Sequence, residues 1–365
     1  MMAQRFNVVI RPMRDDERRT VRAMMKRAFS LLDQWSFAFT PNVLVAEQDC
    51  QLVGAIVLKL FALSHNHKVG SIAWVFTIPE VRGQGLGQRL VEAGIDRCKQ
   101  QGCDAILTTV EGFNTSSSKL FSTRGFKRLS PGAQFRQYGL NIVWVWCKLA
   151  HFFDMGHFLW AYPSRAVSDS PVWQWWGTVV VNSLIGLLMV WRLGDFKVIG
   201  PAVYLELLLA VVVLFGVRHL GMWLMARQQA LTVRFRAWDS GYLLSAAIAL
   251  IFAGAMYPIP GSAYPVTDQW RYRELLPQLG WIALAGNLPV LLIVWGAWMI
   301  SQSGLLATDI QAWLDILLLV GKPLVLFDGV MLIFPFISFN GRRLWDWNKV
   351  VWAVLAVGAV TVFFV

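Results

Sequence analysis

Charge is scarce in this chain: Asp, Glu, Lys and Arg make up 15% of its 365 residues, against 56% hydrophobic. A soluble globular chain carries roughly 25% charged residues, so a single soluble globule is excluded. Cysteine and histidine are scarce too. Cys50, Cys98, Cys103 and Cys147 have neither C-x-x-C spacing nor the density of a disulfide framework, which fits a reducing compartment. The five histidines form no metal-ligand signature, and no metal is expected. His65 and His67 flank one Asn in a polar loop. The opening run MMAQRFNVVIRPMRDDERR lacks an apolar core of signal-peptide length, so the N-terminal part is expected to remain in the cytosol.

The charge that is present is unevenly spread. The first 150 residues hold 20 of the 33 Lys and Arg and 11 of the 22 Asp and Glu, a net +9, while the remaining 215 carry +2. Tryptophan runs the other way, with 4 of 19 in the first part and 15 in the second, where indoles mark bilayer interfaces. The pattern describes a soluble basic domain followed by a membrane domain. A basic balance without an aromatic-basic binding motif suits an anionic leaflet better than nucleic acid.

Within the soluble part, residues 15–32 have helical spacing and an acidic first turn, which favours the helix dipole. Strands follow from Asn42 and Leu52, joined by a polar turn at 49–51. A third strand from Ser71 ends at Pro79, where a ladder donor is lost. A glycine-rich turn leads into a helix over 88–100, and a further strand starts at Ala105. This order predicts an α/β or α+β domain.

The chemistry concentrates at IPEVRGQGLGQRL. Arg82, Gly85 and Gly87 form R-x-x-G-x-G between a strand and a helix. Glycines there let successive N–H groups approach an anion without a Cβ in the way, and a helix N-terminus adds its dipole. A dinucleotide fold competes for this pattern, but Gln88 stands where its third glycine should fall.

Together with the block N-T-S-S-S-K-L-F-S-T-R-G-F at 114–126, in order and at family spacing, this turn resembles the GNAT superfamily of N-acetyltransferases over about residues 5–140. The resemblance implies an α+β fold with a mixed central sheet flanked by helices. It also implies acetyl-CoA or another acyl-CoA as donor. The pyrophosphate would rest on the amides of Arg82, Gly83, Gln84, Gly85, Leu86, Gly87 and Gln88, and the pantetheine would pair with the main chain of Val75, Phe76 and Thr77. Asn114 would bond the cofactor or shape the turn, and Phe121 would flank the cofactor.

Two positions depart from the family. Phe121 stands where a tyrosine often serves as acid, and Thr109 where a carboxylate often stands; neither can exchange a proton at neutral pH. Strand alternation puts Glu111 on the face of Thr109, making it the best available base. A solvated charge at a strand end is the competing reading of Glu111. Asn114 completes the expected catalytic pair, and His65 and His67 are held in reserve as proton relays.

The second half reads as an all-α polytopic transmembrane bundle. Residues 173–191 carry no charge and have tryptophans at both ends, enough for one spanning helix of about 20 residues. Further apolar stretches at 198–226, 241–257, 279–301, 311–338 and 344–365 bring the expectation to six. The expected domains are thus 1–140, an interfacial linker over 141–172, and a membrane domain over 173–365. Glu206, Arg218, His219, Asp315, Lys322 and Asp328 are ionisable groups within spans, with Asp315 and Lys322 expected to pair.

Here the runs RHLGMWLMAR, IALAGNLP and FNGRRLWDWNKVVWAVL resemble an eroded site-2 intramembrane metalloprotease. The family's H-E-x-x-H would fall on Arg218, His219 and Met222, and its later aspartate on Asn340, which leaves no plausible zinc site. The expected function is a membrane-bound N-acyltransferase acting on an amine, a lipid or membrane-protein amine among them, at the cytosolic face. The alternative is a non-catalytic CoA-sensing module regulating a pseudoprotease-like membrane half.

Overall fold

The computed structural model describes residues 8–365 apart from 30, 36, 65, 66, 154, 195–200, 253, 254, 268, 269, 305, 306, 334 and 335. Its N-terminal part opens on β1 (Val8–Pro12), followed by α1 (Arg18–Ala28), α2 (Leu31–Trp35), β2 (Asn42–Gln48), β3 (Gln51–Ser64) and β4 (His67–Thr77). Then come α3 (Leu86–Gln100), β5 (Ala105–Glu111), α4 (Thr115–Ser122), β6 (Lys127–Arg128), α5 (Pro131–Tyr138), α6 (Asn141–Leu149) and β7 (His157–Tyr162). The strands form one mixed sheet in the order β1-β2-β3-β4-β5-β7-β6. All neighbours are antiparallel except β4 and β5.

Apolar spacing decides which face each helix covers. On α1, Val21, Met24 and Met25 recur at helical intervals and pack on Val45, Ala55 and Phe76. On α3, Leu86, Leu90, Val91, Ile95 and Cys98 cover the opposite face, against Ile56, Leu58 and Ile106.

The expected boundary at residue 140 falls short of the sheet. β7 lies in the segment expected to be an interfacial linker, yet it is inserted between β5 and β6. Lys148 lies in α6 and His157 opens β7, while the residues FLWA that follow His157 are buried.

The C-terminal part comprises α7 (Pro171–Leu193), α8 (Pro201–Gln228), β8 (Val233–Arg236), α9 (Tyr242–Ile251), β9 (Ser262–Pro265), α10 (Tyr272–Ser301), α11 (Thr308–Val330), α12 (Asn340–Trp347) and α13 (Lys349–Phe364). Among the described residues, four helices, α7, α8, α10 and α11, are long and apolar enough to cross a membrane by length and composition. The expectation was six. The stretch 241–257 is helical only over the ten residues of α9, and the described residues between it and β9, which pairs with β8, form no helix. The last stretch restarts at Asn348, whose extended backbone (φ −153°) ends α12 and whose side chain accepts from the amides of Val350 and Val351, leaving α13 with 16 residues.

The two parts share a core. Trp238, Tyr257, Ile259, Tyr264 and Phe339 pack in the same cluster as Leu90, Val110, Phe121 and Phe158 of the sheet domain. At Gly112, just past β5, a Cβ would lie 2.4 Å from the Tyr264 ring, so glycine is what lets the sheet end seat on the helical part.

Candidate active site

The sheet is open in its middle. β4 and β5 pair over only three residues, Val69 to Ser71 against Ala105 to Leu107. Beyond that, β4 stays with β3 as far as Thr77 and β5 stays with β7 as far as Glu111, so the two halves of the sheet part company. Ala73 is the extra residue of a bulge opposite Val57 and Leu58, and a bulge bends and twists its strand. Ala73, two residues past the last β4–β5 pair, is exposed although β4 is an internal strand. The Thr108 hydroxyl donates to the Ile72 carbonyl at 3.0 Å where the strands separate.

The glycine turn lies just beyond the end of β4. Gly83 (φ +82°) and Gly85 (φ +78°) occupy the left-handed region, and Gly85 caps α3. A Cβ built on Gly83 or Gly87 meets nothing within 4 Å, and on Gly85 only the Gln88 side chain at 3.9 Å. Among the described residues, no acceptor takes the N–H groups of Gly83, Gln84, Gly85, Leu86 or Gly87. Five unclaimed donors at a helix start, with open space in front, suit a diphosphate. Arg82 and Gln88 are exposed beside them.

The other expected residues separate into those near the opening and those away from it. The Val75–Thr77 main chain forms its β4 wall, while the Phe76 side chain packs inward near Phe29 and Phe37. Asn114 sits just past β5 with its side chain engaged, Oδ1 accepting from the Ser117 amide at 3.1 Å as the cap of α4. Phe121 is not brought to the opening: it is 2% exposed, edge-on to Phe126 in the core. His67 pairs with Asp104 at 3.4 Å at the start of β4. Ten strand residues, roughly 33 Å, separate it from Thr77, which removes it as a proton relay. His65 lies outside the described residues.

Glu111 is half-buried at the end of β5. Burial pushes its carboxyl above the usual carboxylate range, opposed by His157, the Phe113 amide, Ser338 and Arg343. Ser338 donates its hydroxyl to Oε1 at 3.1 Å. Arg343 donates to the Ser338 carbonyl at 3.3 Å and stacks 4.3 Å from the Phe113 ring centroid. Sequence reasoning missed His157, Ser338 and Arg343. His157 could have been found only by placing β7 beside β5, whereas Ser338 and Arg343 come from more than 220 positions away with no local signal.

Residues 11–126 match the model of the acetyltransferase (GNAT) family. They form a GNAT acetyltransferase domain. A mycothiol acetyltransferase of Thermobispora bispora is 30% identical over 95 residues, 26% of this chain and 32% of that protein. The chain thus spans about a third of the length of that relative. The GNAT domain accounts for only part of the chain, and a putative zinc metalloprotease of Methanocaldococcus jannaschii is 28% identical over 135 residues, 36% of this chain and 64% of that protein. Among solved structures, N-acetylglutamate synthase from Neisseria gonorrhoeae complexed with coenzyme A and N-acetyl-glutamate aligns with 44% of this chain and 35% of that chain, at 19% identity and TM-score 0.33.

Zinc does not fit the metalloprotease-like part. The positions where ligands would stand do meet in space, but around a carboxylate: Arg218 grips Asp328 through Nε at 2.8 Å and Nη2 at 2.9 Å. Asn340 donates to the same carboxylate at 2.9 Å and touches the Met222 sulfur at 3.9 Å. A guanidinium cannot ligate a cation, and no group of three His, Cys, Asp or Glu able to hold a metal occurs among the described residues. The expected pairing of Asp315 with Lys322 is not formed. Seven residues put them about 10 Å apart along the axis, and Asp315 accepts from Gln311 instead.

Removing one partner of a buried ion pair strands the other. Arg218→Ala is therefore expected to destabilise the protein by about 3–5 kcal/mol, with Arg218→Met plus Asp328→Leu recovering most of the loss in unfolding titrations. Elemental analysis should find no stoichiometric zinc; one tightly held zinc per chain would contradict this reading.

Proposed function

We propose that the protein is an acyl-CoA-dependent N-acyltransferase that acts on an amine at a membrane surface, with acetyl-CoA as the simplest donor. The observation that carries the reading is the parted β4–β5 pair running toward a turn with five unclaimed amides. The opening offers main-chain groups of Val75 to Thr77 to an extended pantetheine arm, and the turn offers charge-matched donors to its diphosphate. The bound thioester supplies the acyl group; the chain's own residues position it and move the protons.

An attacking amine must be neutral, so a base is needed. Glu111 fits that role because burial raises its carboxyl above the usual carboxylate range, which makes it a stronger base, and because it stands at the end of the β5 wall. Phe121 has no proton to give, so the thiolate departs unassisted, tolerable for a leaving group with a pKa of about 8.5. The four long apolar helices support a membrane location, and the cytosolic supply of acyl-CoA supports a cytosolic face for the GNAT domain. The shared core supports an acceptor that arrives along the helical part, such as a lipid or membrane-protein amine.

One observation favours a second reading. Glu111 is tied to Ser338 in the helical part, and such a link also suits a CoA-sensing module that signals to that part without turnover. Thiol release from acetyl-CoA by the purified full chain with a lipid extract tests the first reading against the second.

A further inference from the structure

Arg343 carries a buried charge with no carboxylate bound to it. It lies in α12, is 1% exposed, and forms no ion pair among the described residues. Nη2 donates to the Ser262 hydroxyl at 2.7 Å and to the Ser338 carbonyl at 3.3 Å, both neutral oxygens, while Nε and Nη1 have no hydrogen-bond partner. Asp328, an acid of the same core, is already gripped by Arg218 and Asn340. Burying a charge without a counter-charge is costly, so the role of Arg343 must lie in what it touches.

It touches both neighbours of the Glu111 carboxyl. The guanidinium stacks 4.3 Å from the centroid of Phe113, a ring fixed in turn by Tyr264, Trp270 and Tyr272. The Phe113 amide favours the charged form of Glu111, two residues before it. Ser338, whose carbonyl Arg343 holds, donates its hydroxyl to Glu111 Oε1 at 3.1 Å. The approach of Ser338 is built into the sheet end: the Gly112 amide donates to the Gly156 carbonyl at 3.1 Å, and a Cβ on Gly156 would lie 2.1 Å from the Ser338 Cβ. Two other ionisable groups face Glu111. His157 stands opposite it in the β5–β7 register, and Tyr264 comes from β9 as a phenol that burial keeps protonated. An arginine, by contrast, keeps its charge throughout.

Resting on the reading of Glu111 as the base, we propose that Arg343 is a positioning residue for acyl transfer: by holding Ser338 and Phe113 it fixes the Glu111 carboxylate at the end of β5 and sets a permanent positive charge beside it. That charge favours the ionised carboxylate, which is the form able to take a proton from the amine. Burial alone would keep Glu111 protonated and idle. Because Arg343 and Ser338 both belong to the helical part, the base reaches its working state only with that part docked on the sheet end.

The test uses the full chain in lipid bilayers and two readouts. Infrared titration follows the protonated Glu111 carboxyl, identified as the band lost in Glu111→Gln, and needs no acceptor. Arg343→Met is expected to hold Glu111 protonated to higher pH than wild type, and Arg343→Lys, which keeps the charge, to restore part of the difference. Phe113→Leu removes the stacked ring but not the amide, and should shift the titration in the same direction if Arg343→Met does not fold. The second readout is thiol release from acetyl-CoA with phosphatidylethanolamine as the amine. Arg343→Met should lower kcat about tenfold or more with the KM for acetyl-CoA unchanged, and should cost nothing further when added to Glu111→Gln. An unmoved Glu111 titration in the folded variants, or losses that multiply in the double variant, overturns the proposal. The premise fails separately: a wild-type rate in Glu111→Gln contradicts Glu111 as base and the proposal with it, whereas a lost rate there with an unmoved titration in Arg343→Met removes only Arg343.

Discussion

Gly85→Asp is expected to weaken binding of CoA and acetyl-CoA to the full chain about 10²-fold, while Gly85→Asn retains most of it. Gly85 is in the left-handed region and caps α3. Asp and Asn tolerate that backbone and are both good caps, so both variants should fold. They differ by one charge. The turn's five amides face open space, so an aspartate there puts a carboxylate where the diphosphate would sit. A like charge at that range, together with lost helix-dipole attraction, costs about 3 kcal/mol, or 10²-fold in affinity. Calorimetric titration is the measurement. Equal affinities for wild type and Gly85→Asp would remove the turn from the cofactor site.

The second large effect concerns Glu111. Glu111→Gln should lower kcat/KM about 10²-fold or more near neutral pH, with the deficit shrinking at high pH as free amine becomes abundant. Ser338→Ala removes a donor that favours the ionised carboxylate, so the Glu111 pKa rises further. A base must be deprotonated, and the acidic limb of the rate profile should therefore move to higher pH. Stability should respond in the opposite sense to activity. A carboxyl whose folded pKa is raised contributes fully below its unfolded value and loses that contribution as pH rises through the folded value. Glu111→Gln should thus be more stable than wild type at neutral pH, and wild type should close the gap on acidification. A variant with unchanged rate at neutral pH would exclude Glu111 as the base.

How much of this was legible in the sequence depended on how local the cause was. The glycine turn was legible because Gly83, Gly85 and Gly87 act through their own backbone, and the strand ending at Pro79 and the helix after it supply the context. The helix of 15–32 and the strands from Asn42, Leu52 and Ala105 announced themselves by apolar spacing. β1 and β7 did not. β1 is five residues at an edge, and β7 follows a helix that carries the apolar run past the apparent end of the domain. The six-span count failed where hydropathy continues but backbone geometry does not, at the short α9 and at the break at Asn348. Hydropathy flagged Arg218 and Asp328 as costly but could not pair them, because their contact is made 110 positions apart. The same distance problem hid Ser338 and Arg343 behind Glu111.

Thiol release from acetyl-CoA, followed with the full chain in lipid bilayers and an amine-containing lipid extract, tests the central claim most directly. Acceptor-dependent release that continues over many turnovers, and is lost in both Gly85→Asp and Glu111→Gln, is the predicted result. Tight acetyl-CoA binding with no thiol released under any acceptor would contradict it and leave a sensing module in its place.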